Sequence, residues 1–408
     1  MTAEVRQALD GLDEEASMDE VATRLEGRVS PAVLALVKAQ VVQAGGFGAV
    51  TRAVDGFGGF AKQYEQIEKV SAHHGIDRDR HLSPETAAAI AASVAASTRR
   101  AYGADRAAFA AWCAEQSRTA VPASAETMAE WVRHLTVIPR PRTGRPAGPS
   151  TIERALPAVT SWHEEQSLPK PTMRGTRAVR NAYKDRLAEE KDAAARARQA
   201  TAALPAQIRA MLASTDRTTL AGQRNAALVL LGFATAARVS ELVALDLASV
   251  VETEHGYDVS VYRKKVRKHT TNAILYGTDP ATCPVRALRA YLAAAGRTTG
   301  PLFLRVDRWD RLAPPMTRHG RTIGDPAGRM TAEAAAEVIE RLAVAAGLTG
   351  AWSGHSLRRG FATAARAAGH DPLEIARAGG WVDGSRVLAR YMDDVDRVKN
   401  SPLVGIGL

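Results

Sequence analysis

The feature that most limits how this chain can fold is the stretch 189–203, EEKDAAARARQATAA, which is charged, Ala-rich and free of large apolar side chains. Such a segment adds little to a core. It reads as a linker, partly helical, or equally as one solvated helix face. Placed at 191–203, it divides the 408 residues into bodies of the size that single cores support.

The two bodies differ in character. From 84 to 190 the pattern is helical, and Tyr102, Ala108, Phe109 and Trp112 fall near the spacing of one buried helix face. Beyond 204 an apolar helix spans 225–236, and short strands are expected at 249–252, 257–262 and 272–276. Between the last two strands the run 263–271, basic through His269, is expected as a turn, and helices are expected from Val285 to the end. The fold class is therefore mainly α with a small antiparallel β-sheet in the C-terminal body (α+β). Residues 1–80 read as a helical extension of their own.

Charge narrows the partner. Residues 1–80 hold 9 Lys/Arg against 13 Asp/Glu, leaving 45 against 31 for the rest. The basic excess belongs to the body of the protein, which suits a polyanion such as DNA. Two isolated cysteines, Cys113 and Cys283, form neither a disulfide framework nor a zinc-ligand spacing, as expected in a reducing cytoplasm. The longest apolar stretch, 226–237, falls short of the roughly 20 residues that span a bilayer, so no membrane role is expected.

Four pieces carry chemistry. Arg238 and Glu241 are three apart and share a helix face, which alone fits a surface ion pair. The run Arg263-Lys264-Lys265-Val266-Arg267-Lys268-His269 fits a solvated hairpin tip or a phosphate patch. His355 and Arg358, in GHSLRRG, sit at a helix start, where free amides favour an anion. Gly379-Gly380-Trp381 precedes Tyr391 by ten residues, and taken singly these aromatics read as core.

Their order is more specific than any one of them. Arginine, a lysine in a β-turn, His-x-x-Arg, Gly-Gly-Trp and a late tyrosine resemble the tyrosine recombinase (phage integrase) family. The stretch 353–391 is most similar to its Cre branch, which has Trp where most relatives carry His. Ser97-Thr98-Arg99-Arg100-Ala101-Tyr102 is similar to the first helix of the family's core-binding domain. The resemblance thus implies a helical SAM-like DNA-binding domain at 84–190 and a catalytic domain at 204–408.

It also implies roles. Tyr391 would be the nucleophile that forms a 3′-phosphotyrosyl bond, and Arg238 and Arg358 would hold the phosphate oxygens. Lys265 would be the general acid, with Lys264 and Lys268 as alternatives because the turn length is open. His355 would assist proton transfer, Trp381 would donate its indole N–H to the phosphate, and Glu241 would orient the cluster. No cofactor or metal is expected, and the sequence contains no G-x-x-x-x-G-K-[ST] phosphate loop. The implied partners are a specific double-stranded DNA site and three further copies of the chain. The apolar end of the tail, 401–408, would dock on a neighbouring protomer, giving a tetramer. Residues 1–80, acidic as they are, suit an accessory protein better than DNA. A topoisomerase-like strand transferase and a DNA-binding regulator that has lost catalysis are the alternative functions.

Overall fold

A computed structural model describes residues 18–25, 82–141, 143–196 and 199–399, with Ser401, Leu403 and Ile406. Helix α1 (Met18–Leu25) lies in the N-terminal extension. The other expectations for 1–80, and most of those for the tail 401–408, lie outside the described residues. The chain divides into two compact units, Met1–Ala195 and Arg196–Leu408.

In the first unit, α2 (Pro84–Ser93) starts where Ser83 and Pro84 foretold, with the Ser83 hydroxyl accepting a hydrogen bond from the Thr86 amide. It is followed by α3 (Ala96–Glu115), α4 (Ala125–Val137), α5 (Pro149–Glu165) and α6 (Arg174–Glu189). Phe109 and Trp112 of α3 face the core, whereas Tyr102 is half-buried and Ala108 exposed. Both core aromatics pack on Trp131 of α4, at ring-centroid distances of 5.6 and 5.2 Å. Val132, Ile152, Tyr183 and Leu187 form a second cluster that fastens α6 to α4 and α5.

The second unit contains α7 (Pro205–Ala213), α8 (Leu220–Ala234), α9 (Val239–Leu242), α10 (Pro284–Ala295), α11 (Ala332–Ala345), α12 (His355–Ala367), α13 (Pro372–Gly379) and α14 (Arg386–Lys399). Helix α8 is buried without a break from Ala226 to Gly232, the environment that an all-round apolar helix requires. Its first amides are satisfied from afar, since the Asp310 carboxylate accepts from Leu220 and Ala221 at 2.7 and 2.8 Å.

Strands β1 (Val250–Thr253), β2 (Gly256–Arg263) and β3 (Lys268–Leu275) form an antiparallel sheet in that order. Tyr257, Val259 and Val261 point inward by strand alternation and join the main core. The basic run departs from its expected form. Arg263 is the last residue of β2, opposite Lys268, and the turn is confined to 264–267.

Two further departures are instructive. A hairpin of β4 (Met316–Arg318) and β5 (Arg321–Ile323) interrupts the expected run of helices. Its turn uses His319 and Gly320 at φ 51° and 74°, and every strand residue is exposed, so no buried alternation marks it. Residues 200–203, expected in the linker, are built into the second unit. The Thr201 amide donates to the Ala351 carbonyl at 2.8 Å, and the Ala203 amide donates to the Ser356 carbonyl at 2.9 Å. Ala203 is fully buried, and a Cβ on Gly360 would come within 2.1 Å of its carbonyl oxygen. Small side chains are needed here for close backbone approach, not for flexibility.

Among the described residues, no helix is long and apolar enough to cross a membrane.

Candidate active site

The site grows from the end of α8. The chain leaves that helix through Ala236, at φ 48°, and re-enters a helical turn at Arg238, the N-cap of α9. Glu241, three residues on, accepts from the Arg238 amide at 3.0 Å and from its Nη1 at 2.5 Å. The expected shared face is therefore a closed ring, and Glu241, only 5% exposed, is not half of a surface ion pair. The loop ahead of α12 packs on the same turn, for a Cβ on Gly354 would lie 2.5 Å from the Val239 side chain. That contact brings His355 up to Arg238.

Arg358 lies one turn along α12 and is 2% exposed. Its Nη1 donates to the Ala236 and Gly379 carbonyls at 2.5 and 2.6 Å, and its Cζ stands 3.6 Å from the centroid of the Trp381 ring. Its Nη2 is buried without a hydrogen-bond partner. Burial, then the charges of Arg238 and Arg263, lower the Arg358 pKa to about 9, against an opposing pull from Glu241 and Tyr391. The group is still cationic at neutral pH. A charged, dry guanidinium with one unused edge is a ready donor to an oxyanion.

His355 opens toward solvent. The protein packed around its ring, followed by Arg238 and Arg358, nonetheless holds its pKa below the ordinary histidine value, with Glu241 opposing. A neutral imidazole is thereby favoured near neutral pH.

Tyr391 sits on α14, with its ring 6.2 Å from that of Trp381 in an edge-on arrangement. The Thr363 hydroxyl donates to the Tyr391 carbonyl at 2.7 Å. Arg359 to Asp394 at 3.0 Å and Arg366 to Asp396 at 2.6 Å tie α14 to α12. The phenol hydroxyl has no hydrogen-bond partner among the described residues, and Tyr391 lines an open cavity of about 380 Å³ with His355, Ser353, Trp352, Arg359 and Arg390.

Arg238, Glu241, His355, Arg358, Trp381 and Tyr391 thus form one neighbourhood. The lysines stand apart from it. Lys264, Lys265 and Lys268 are exposed, and their side chains make no hydrogen bond or ion pair among the described residues. No group of three His, Cys, Asp or Glu side chains that could hold a metal occurs among the described residues.

One member went unnoticed in the sequence. Arg263, read there as part of a solvated tip, is completely buried, and its Nη1 donates to Glu241 at 3.3 Å. The signal was strand parity, since Arg263 continues the inward series Tyr257, Val259, Val261.

The second unit is thus mainly helical around a small antiparallel sheet and brings two arginines, a histidine and a late tyrosine together. Residues 204–397, just under half of the chain, match the phage integrase family.

Two relatives match over most of their length. The chain is 28% identical over 312 residues to an integrase/recombinase xerD homolog of Selenomonas ruminantium, covering 74% of this chain and 83% of the relative. It is 26% identical over 302 residues to the recombinase cre of Escherichia phage P1, covering 71% and 81%. Among solved structures, a post-cleavage complex of the XerH site-specific recombinase with palindromic difH substrate is similar at 16% identity and a TM-score of 0.46, covering 72% of this chain and 75% of that one.

Proposed function

We propose that this protein is a site-specific DNA recombinase that cuts and rejoins strands through Tyr391. The observation that carries this reading is the unpartnered Nη2 of Arg358, buried beside Arg238, Trp381 and the phenol-bearing helix. An uncompensated buried donor is costly, and a phosphate oxygen would satisfy it.

In the step envisaged, the Tyr391 oxygen attacks a backbone phosphorus and loses its proton. The new P–O(Tyr) bond forms as the P–O5′ bond breaks, leaving a 3′-phosphotyrosyl ester and a 5′-hydroxyl once the departing oxygen gains a proton. The number of phosphate ester bonds is unchanged, so rejoining needs no added energy source. Arg238 and Arg358 hold the non-bridging oxygens as charge accumulates, and loss of either is expected to raise the barrier by about 3–4 kcal/mol. Lys265 is assigned the proton for the 5′ oxygen, with Lys264 in the same turn and Lys268 at the start of β3 as its alternatives. His355, kept neutral by its surroundings, assists proton transfer. Glu241 orients Arg238. Trp381 braces Arg358 and is assigned an indole N–H contact to the phosphate. None of these roles calls on a metal or cofactor.

Binding is assigned to residues 84–190 together with 204–408, which share the chain's basic excess. Affinity should therefore fall steeply with salt. The assembly proposed is a tetramer on two sites in the cytoplasm, associated with the nucleoid and linked by exchange of the tail 401–408. Deleting that tail should abolish higher-order complexes on DNA while leaving single-site binding intact. An accessory protein is assigned to residues 1–80.

The test of the chemistry is a nicked suicide substrate. Wild type should trap a covalent protein–DNA adduct that survives EDTA, and Tyr391→Phe should trap none. Specific binding without an adduct in wild type would favour a regulator that has kept only the fold.

A further inference from the structure

Arg263 is completely buried although its neighbour Lys264 is exposed. Its guanidinium reaches α9, β3, the end of α8 and α13. Nη1 donates to Glu241 at 3.3 Å, and Nε donates to the Thr270 hydroxyl at 2.8 Å. Nη2 donates to the Thr235 carbonyl at 2.8 Å, the Ala378 carbonyl at 3.2 Å and the Asn272 side chain at 3.4 Å. Asn272 repeats the last link, donating to the Ala378 carbonyl at 2.7 Å.

Packing enforces the same connection. A Cβ on Gly380, which lies at φ +64°, would come within 2.6–2.8 Å of Nε, Cγ and Cδ of Arg263. The side chain therefore lies flat against the turn that delivers Trp381. Desolvating a guanidinium costs several kcal/mol, and satisfying it this fully is more than a strand end needs in order to stay folded. The feature it most directly controls is the turn 264–267, which is closed by the Val266 amide donating to the Arg263 carbonyl at 3.1 Å.

We propose that Arg263 is a positioning residue that registers the lysine-bearing turn between β2 and β3 against the Arg238–Glu241 ring and the Gly379–Trp381 segment, so that a lysine of the turn meets the departing 5′ oxygen. The inference rests on the strand-transfer reading above. An exposed hairpin end is ordinarily among the more mobile parts of a fold. Proton transfer tolerates little misplacement, and an error of about 1 Å can cost on the order of 100-fold in rate. A buried anchor at the last residue before the turn removes that freedom without touching the phosphate.

The experiment compares two suicide substrates that differ only at the scissile phosphate, one normal and one with a 5′-bridging sulfur. A thiolate departs without a proton, so the sulfur substrate bypasses the general acid. Arg263→Met should form adduct about 100-fold more slowly than wild type on the normal substrate. On the sulfur substrate it should be within about fivefold of wild type, the same pattern as the lysine variant that proves to remove the acid. Equal slowing on both substrates, or no slowing on either, overturns the proposal. Should Arg263→Met fail to give a cooperative thermal transition, Arg263→Lys takes its place, because lysine keeps the charge opposite Glu241 but cannot span the same partners. Tyr391→Phe must be inert on both substrates. A wild type inert on both would sink the strand-transfer reading itself, whereas failed sulfur rescue with active wild type sinks only the role of Arg263.

Discussion

The guanidinium of Arg358 lies on the face of the Trp381 indole, 3.6 Å from its centroid, while its Nη1 is held by two carbonyls. The ring thus serves as a floor that keeps a buried cation from turning away from the phosphate position proposed above. Trp381→Phe preserves that floor but removes the indole N–H assigned to the phosphate, so adduct formation should fall about 100-fold, still well above Trp381→Ala. Trp381→Ala removes the floor and opens a cavity among Ile375, Leu388 and Met392. A loss of about 3–5 kcal/mol in urea unfolding, with cleavage near background, is the expected outcome. Equal activity of the two variants would show that the stack does not matter.

Glu241 is the counter-charge for Arg238 and Arg263 at once. Glu241→Ala strands a fully buried guanidinium and should destabilise the second unit by about 3–5 kcal/mol. Glu241→Gln keeps an acceptor for one arginine and should cost less. Chemical denaturation of the two variants side by side checks the order.

The depressed pKa of His355 carries a definite sign. Its folded value lies below its unfolded value, so the unfolded chain binds the proton more readily. The contribution to stability is complete above the ordinary histidine pKa of about 6.5 and is lost as pH falls from there through the folded pKa. Urea midpoints measured from pH 8 to pH 5 should therefore decline less in His355→Gln than in wild type. A steeper decline in the variant would reverse the assignment.

The Thr363 hydroxyl donates to the backbone of the tyrosine itself. Thr363→Val deletes one hydrogen bond, worth about 1 kcal/mol, and should slow adduct formation severalfold with unchanged DNA affinity. Asp396→Asn should act in the same direction through Arg366, and more strongly than Asp394→Asn, because Asp394 is far more exposed. Gel-shift and suicide-substrate measurements on the same preparations separate binding from chemistry.

What was legible in the chain follows from periodicity. Strand β2 was readable because Tyr257, Val259 and Val261 alternate with polar residues against a real core, whereas β3 was read only from Asn272 on, because 268–271 are polar and none of them is buried. Helix α8 was readable because it is apolar on all sides and needs a central place. The Arg238, His355, Arg358 and Tyr391 neighbourhood was readable only as an ordered set, since each motif by itself fits an ordinary surface or core position.

The failures have physical causes too. The β4–β5 hairpin presses no side of itself on a core, so its residues carry no alternation. Arg263 was hidden by its companions, because a run of five Lys and Arg in seven residues suggests water at every position. Burial there is decided by strand parity and by partners 7 to 115 residues away in the chain. The stretch 200–203 looked loose because alanines suit a tether as well as a tight backbone crossing.

That crossing has a mechanical corollary. Thr201 is bonded to Ala351 and Ala203 to Ser356, on either side of His355. The incoming strand of chain is therefore laced to the histidine's own loop before it reaches the rest of the second unit. A pull applied at Thr201 would be felt there first, so force on the entry to this unit has a short lever arm on the His355 loop.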